Sequence, residues 1–187
     1  MTISTIGHST HPIEEFIGIL LARGIRRLVD VRTIPRSHRN PQFNREDLKD
    51  SLRTAGIEYF HLPGLGGLRH PRKDSINLGW RNASFRGYAD YMQTPQFAAN
   101  LGHLMELAFP APTAIMCAEA VPWRCHRSLI ADALVARGVE VLEVLSAANS
   151  RLHAMTDFAK VDGQSVSYPV ERTAESNLDL PLFSQLE

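Results

Sequence analysis

Short apolar runs alternate with amphipathic segments through most of the chain, and this alternation predicts the order of its strands and helices. The apolar runs are typical of strands that are covered on both faces of a parallel sheet. We predict five strands, at residues 3–7, 27–31, 57–62, 113–118 and 139–145.

Between these runs, apolar residues recur at the three- and four-residue spacing of one helix face. We predict a first helix with Pro12 in its first turn and a second helix capped by Asn44. Residues 85–109 form one helix or a broken pair, because Thr94 and Pro95 are typical of a new helix start. A further helix follows the fourth strand.

Alternating strands and helices favour an α/β fold with right-handed crossovers. We predict a three-layer, Rossmann-like, mostly parallel sheet of about five strands with helices on both faces. Residues 1–169 are assigned to a single α/β domain and residues 170–187 to an extended or disordered C-terminal tail. Residues 69–84 lack periodicity and predict a long loop. Asp162 and Gly163 predict a hairpin turn before a short return strand.

Composition gives few further constraints, since the 187 residues have a net charge of zero and 44% hydrophobic content. Charge is nevertheless segregated: residues 32–45 contain four arginines and no acid, whereas the chain after Glu171 is mainly acidic. The start of the chain lacks a secretory signal pattern, and no apolar run is long enough to span a membrane. We therefore expect a cytoplasmic protein whose two cysteines are reduced.

Residues that carry chemistry follow the predicted strand ends, which share one edge of a parallel sheet. Residues 113–134 are the most concentrated example, with a buried strand, a charged loop and a helix start. We predict one cleft with these candidate catalytic residues: His8, Asp30, Glu119, Cys125 and His126. The candidate substrate-binding residues are arginines, whose guanidinium groups match phosphate: Arg32, Arg36, Arg39, Arg124 and Arg127.

Four runs carry a resemblance to a known family. They are GHST at 7–10, DVRTIPRSHRNPQF at 30–43, LPGLGG at 62–67 and CAEAVPWRCHR at 117–127. They resemble the bacterial and archaeal family catalogued as domain of unknown function 488. The resemblance implies an α/β fold and a site built from these motifs. This chain departs from the family at His38, where Arg is common, and at Glu143, where many members have His.

The cysteines admit two interpretations. Cys125 at a helix start beside Arg and His is typical of an activated thiolate nucleophile, but buried free cysteines are more often simple core residues. Cys117 and Arg124 are one residue too far apart for a cysteine-based phosphatase signature. Metal binding by His8, Cys125 and His126 is a weak alternative, because the chain lacks the close paired spacing of a structural zinc site. We assign no metal and no cofactor.

The carboxylates also admit two interpretations. Asp30 and Glu119 split acid and base roles if their environments differ, or each pairs with an arginine to hold the loops. Aromatic residues among the arginines of residues 80–91 suit stacked bases, and they suit ordinary helix packing equally.

The tail contains a short motif at residues 177–183, NLDLPLF. It resembles the peptide by which bacterial DNA polymerases and repair proteins bind the replication sliding clamp. The candidate clamp-binding residues are Asn177, Leu178, Leu180, Leu182 and Phe183. The other interpretation is a tail that packs its apolar residues on its own domain.

The sequence therefore favours an enzyme acting on a phosphate-bearing substrate, most directly a nucleotide or nucleic acid. The alternative is a non-catalytic, DNA-associated binding module that the tail recruits to the sliding clamp. A third hypothesis is a small-molecule enzyme unrelated to nucleic acid.

Overall fold

The computed structural model describes residues 1–170 of the chain. The strands are β1 (Thr2–Gly7), β2 (Arg27–Asp30), β3 (Glu58–His61), β4 (Thr113–Cys117), β5 (Glu140–Val144), β6 (Ser150–Leu152), β7 (Lys160–Asp162) and β8 (Ser165–Ser167). The helices are α1 (Ile13–Ala22), α2 (Arg45–Thr54), α3 (Ala83–Met92), α4 (Pro95–Ala108) and α5 (Arg127–Val135).

Six strands form the central sheet in the order β3–β2–β4–β1–β5–β6. The first five are parallel to their neighbours, and β6 pairs antiparallel with β5 at the edge. This arrangement confirms the predicted α/β class and all five predicted strands. The sequence analysis missed β6, whose three residues are exposed and carry no apolar run.

Helices cover both faces of the sheet, as predicted. On one face, α1 and α2 pack Phe16, Leu20, Leu48 and Leu52 into one apolar cluster. On the other face, α3, α4 and α5 contribute to a second and larger cluster. Most of the apolar surface removed from water, which is the main favourable term in folding, lies in these two layers.

The neighbouring strands β1 and β4 form the switch point of the sheet. The chain leaves β1 toward α1 on one face, and it leaves β4 toward α5 on the opposite face. Loops that diverge in this way open a crevice outside the carboxyl ends of the strands, which is where α/β proteins bind ligands.

Two predicted helix starts differ in detail from the structure. Pro12 occupies the N-cap of α1, which begins at Ile13, and is therefore not in the first turn. Asn44 is the N-cap of α2, but its side chain makes no capping bond because its Oδ1 accepts from the backbone N–H of Ser37 at 2.9 Å. The predicted restart at Thr94 is confirmed, since the Thr94 hydroxyl accepts from the N–H of Phe97.

The predicted long loop has no regular secondary structure between residues 66 and 82. Buried Asp90 of α3 fixes it by accepting hydrogen bonds from the Arg72 N–H, the Ser75 hydroxyl and the Asn77 side chain. The predicted hairpin is also present, with β7 and β8 paired antiparallel around Gly163.

The helices of residues 1–170 include none with the length and apolarity that a membrane crossing requires. Residues 171–187, which comprise most of the predicted tail, fall outside the described part of the chain.

Candidate active site

A cleft of about 710 Å³ lies at the carboxyl ends of β1, β2 and β4. Its walls come from the three loops that follow these strands, within residues 8–10, 32–40 and 117–126. The other lining residues are Gly67, Leu68, Ser84, Phe85 and Tyr88. The loops after these strand ends therefore share one cleft, as the sequence predicts.

Gly7 permits the close approach of the loops after β1 and β4. A Cβ atom at this position would lie 1.8 Å from the carbonyl oxygen of Glu119 and 2.8 Å from Nη2 of Arg127. The N–H groups of His8 and Ser9 continue the strand pairing by donating to the carbonyls of Cys117 and Ala118, each at 2.9 Å. A side chain at residue 7 would force these loops apart.

Asp30 and Arg32 form a buried ion pair beneath the cleft. Nη2 of Arg32 donates to Oδ2 of Asp30 at 2.6 Å, and Nε donates to Oδ1 at 2.9 Å. The same carboxylate accepts from the Tyr59 hydroxyl at 2.9 Å. Asp30 is fully buried and does not line the cleft, so its placement favours positioning Arg32 over exchanging protons with a substrate.

His8 lines the cleft but is held as a neutral ring. Nη1 of Arg32 donates to Nε2 of His8 at 3.2 Å, so the Nδ1–H donates to the Ser9 carbonyl at 2.9 Å. Burial and the positive charge of Arg32 lower the pKa of His8 to about 4. The ring stacks on Phe43 with centroids 4.1 Å apart. His8 is therefore fixed in orientation and uncharged at neutral pH.

Two thiols and one imidazole meet at the end of β4. Nδ1 of His126 lies 3.8 Å from Sγ of Cys125 and 4.0 Å from Sγ of Cys117. A hydrogen bond from the Cys117 thiol lowers the pKa of Cys125 to about 6 despite burial, with the charge of Arg127 acting in the same direction. The same hydrogen bond and burial raise the pKa of Cys117 to about 12. Cys125 is therefore the thiolate of the pair.

Arg127 is buried and supports the loop from below. Its Nη2 donates to the Glu119 carbonyl at 2.6 Å, and its Nε donates to Sγ of Cys125 at 3.4 Å. It does not line the cleft. This placement favours a structural and electrostatic role over direct substrate contact.

Among residues 1–170, the charged side chains of the cleft that have no partner are three arginines and one acid. Arg36, Arg39 and Arg124 line the cleft and are exposed. Within residues 1–170, their guanidinium groups form no hydrogen bond or salt bridge with the protein. The exposed carboxylate of Glu119 likewise has no salt-bridge partner in that part of the chain. An excess of unpaired positive charge in a concave site attracts anions.

The structure thus brings together eight of the ten predicted cleft residues as lining residues, and it places Asp30 and Arg127 directly behind them. Their predicted roles are not tested by this placement. The predicted clamp-binding residues lie outside the described residues: Asn177, Leu178, Leu180, Leu182 and Phe183.

Cys117 is a cleft residue that was not among the predicted site residues. It is the last residue of β4, and a thiol at a strand end followed by charged residues was the signal that could have identified it. A second polar cluster was also missed, in which His153 lies between the buried carboxylates of Asp132 and Glu143 at 2.8 Å from each. These residues are scattered along the sequence, so no local motif indicates them.

The family model described as Domain of unknown function DUF488 matches residues 12–134, more than half of the chain. This range includes the loops after β2, β3 and β4 that form most of the cleft. Curated proteins and solved structures gave no match.

Proposed function

This chain belongs to the family described as Domain of unknown function DUF488, and we propose that it is an enzyme acting on a phosphate-bearing substrate in the cleft. The observation that supports the proposal is the convergence of Arg36, Arg39 and Arg124 on a site that also holds Glu119 and His126. Nucleotides and nucleic acids are the substrate class that this combination suits best.

Phosphate recognition is assigned to the three exposed arginines. A guanidinium group presents donors in a planar fork that matches two phosphate oxygens, and it stays charged at all physiological pH values. The arginines come from two of the loops that line the cleft, residues 32–40 and 117–126.

Base recognition is assigned to the aromatic wall of the cleft. Phe85 lines the cleft and contacts Trp80 behind it, with ring centroids 4.7 Å apart. Exposed Leu68 and Ile34 add apolar surface near the same opening. Aromatic and apolar surface beside arginines is the usual composition of sites that stack a base next to its phosphate.

Proton transfer is assigned to Glu119. Its backbone is fixed by the hydrogen bond from Arg127, whereas its carboxylate is exposed in the cleft and unpaired within residues 1–170. A positioned carboxylate that reaches the substrate is a candidate general acid or base. Asp30 and His8 act through Arg32 and hold the floor of the site.

The test is a turnover screen of the full chain against nucleotides and short single- and double-stranded oligonucleotides, with products separated by chromatography. We expect a change at a phosphate ester or at the attached nucleoside in at least one compound. Absence of turnover for every one of these phosphate compounds would reject the substrate class and favour the small-molecule alternative.

The second candidate function is a DNA-associated binding module without catalysis. The same unpaired arginines favour it, and the tail motif at residues 177–183 would recruit it to a sliding clamp. It predicts salt-dependent DNA binding without turnover. A clamp titration with the full chain and with a chain ending at Ser176 tests the recruitment, because micromolar binding that truncation removes would place the protein at replicating DNA.

A further inference from the structure

The donor atoms of Cys117, Cys125 and His126 lie about as close to one another as the ligands of a single metal ion do. The two Sγ atoms and one imidazole nitrogen all lie within 4.8 Å of one another. With Zn–S distances of about 2.3 Å and Zn–N distances of about 2.0–2.1 Å, tetrahedral ligands are about 3.5–3.8 Å apart. The observed distances of 3.8 and 4.0 Å from Nδ1 of His126 to the two sulfur atoms are within a few tenths of an ångström of that range.

We propose that Cys117, Cys125 and His126 bind one zinc ion whose fourth coordination position faces the cleft. Two thiolates and one imidazole are a donor set that suits zinc, and three protein ligands with one open position are typical of catalytic zinc sites. All three residues line the cleft. The open position therefore faces the same space as the unpaired arginines and Glu119.

The backbone explains why the sequence spacing conceals this site. Cys117 ends β4, while Cys125 and His126 immediately precede α5. The short turn at Pro122–Arg124 reverses the chain and brings residues eight and nine positions apart in sequence into contact. These ligands are not closely paired in sequence. His8, which the sequence offered as a ligand, is not part of the cluster, and its Nε2 already accepts from Arg32.

Hydrogen bonds from Arg127 to Sγ of Cys125 support a thiolate ligand at this residue. The N–H of Arg127 lies 3.5 Å and its Nε lies 3.4 Å from Sγ of Cys125, and both are donors. Hydrogen bonds to a ligand atom orient it and are a regular feature of metal sites. Two thiolates and a divalent ion are together neutral, so the charge of Arg127 is tolerated beside them.

His126 lacks the partners that a buried imidazole normally has. Its Nε2 is buried without a hydrogen-bond partner among the described residues, and its Nδ1 contacts only the two sulfur atoms. An imidazole left in this state is costly, because buried polar groups are nearly always paired. A metal bond at Nδ1 would replace the long contacts of that nitrogen with the two sulfur atoms and would leave Nε2 as the N–H of the ring. Gly67 leaves room for that edge of the ring, since a Cβ there would lie 3.1 Å from Nδ1.

Binding of the ion goes beyond the proposed function and does not depend on it. Only a catalytic use of the ion, as a Lewis acid toward a bound phosphate or as a source of an activated water, rests on the proposed function. A protein that binds zinc but turns over no phosphate compound would therefore leave the metal site intact and reject the substrate class.

The test uses the full chain, reduced and stripped of metal with a chelator, and then titrated separately with Zn²⁺ and Co²⁺. We expect one ion per chain by elemental analysis. The cobalt form should show sulfur-to-cobalt charge-transfer absorption and the intense visible bands of tetrahedral coordination. The cobalt spectrum reports thiolate ligation in the unmodified chain, so the test does not depend on any variant folding.

The variants then assign the ligands. Cys117→Ser, Cys125→Ser and His126→Ala should each lose stoichiometric zinc, whereas the control His103→Ala should retain it, because His103 is an exposed residue of α4 outside the cleft. Absence of the charge-transfer band, or equal zinc content in all four variants, would overturn the proposal.

Discussion

Arg32 and Asp30 form a buried ion pair, with Nη2 of Arg32 at 2.6 Å from Oδ2 of Asp30 and only 6% of the Arg32 side chain exposed. Both side chains of this pair make further hydrogen bonds. The arginine also donates to Phe43 and His8, and the carboxylate also accepts from Tyr59. The pair thus connects β2, β3 and the loop after β1 under the floor of the cleft.

Replacing Asp30 with Asn should destabilise the protein by about 3–5 kcal/mol, because removing one partner of a buried ion pair leaves the other charge uncompensated. Equilibrium unfolding in urea measures the change. The matched control is Asp50→Asn, which removes the partner of Arg53 in a pair whose side chains are 65% and 76% exposed. Exposed pairs contribute little, so the control should unfold at the wild-type urea concentration. Equal midpoints for the two variants would show that the Asp30 pair is not a structural element of the cleft.

Replacing Glu119 with Gln should lower kcat/KM by about 10²–10⁴-fold on any substrate found in the turnover screen, because the amide cannot exchange a proton with it. The side chain is exposed, so the melting temperature should not change. Glu106→Gln on α4 is the control, since this exposed residue does not line the cleft. A wild-type rate for the Glu119 variant would remove this residue from the mechanism.

His153 should make a pH-dependent contribution to stability. Burial opposes its charge, but the hydrogen bonds to Asp132 and Glu143 outweigh burial and raise the pKa of His153 to about 9, from 6.5. Because the folded-state pKa is raised, the contribution is complete below about pH 6.5 and is lost as the pH rises through about 9. A change in pKa of this size corresponds to about 3 kcal/mol.

The comparison with His153→Gln isolates this effect. The lowered pKa of Cys125 acts in the opposite direction, since it adds stability as the pH rises from about 6 toward 9. The wild type and the His153→Gln variant both contain Cys125. The contribution of Cys125 therefore cancels in the difference between their free energies of unfolding. That difference should shrink steadily from pH 6.5 to 9. A difference that is constant over this range would contradict the assignment of a charged His153.

The sequence predicts the sheet well because buried parallel strands leave a clear apolar signal. All five strands of the parallel part and the restart at Thr94 follow from local pattern and capping chemistry. Strand β6 does not, because its three exposed residues are ordered only by pairing with β5. The prediction that Asn44 caps α2 through its side chain was wrong for a similar reason, because a contact outside the helix intervenes. Oδ1 of Asn44 accepts a hydrogen bond from the N–H of Ser37 in the preceding loop.

The candidate site was also predictable from the sequence only in part. Strand ends are readable from sequence, so His8, Arg36, Glu119 and Cys125 were correctly expected to share one cleft. Burial around a strand end is not readable from sequence, so the analysis did not predict that Asp30 lies behind the cleft while Cys117 lies in it. Whether a residue at a strand end lines the cleft or lies behind it depends on whether a neighbouring loop covers its side chain.

The central claim is that the unpaired arginines bind the phosphate groups of a substrate, and calorimetric titration tests it most directly. The full chain is titrated at low salt with nucleotides and a short oligonucleotide, in wild-type form, as Arg36→Ala/Arg39→Ala and as the control Arg53→Ala on α2. Charge-assisted hydrogen bonds contribute about 1.5–3 kcal/mol each, so the double variant should bind at least about 10-fold more weakly while the control binds normally. Binding should also weaken as salt rises. No binding of any phosphate compound at low salt, or equal binding by the double variant, would contradict the account.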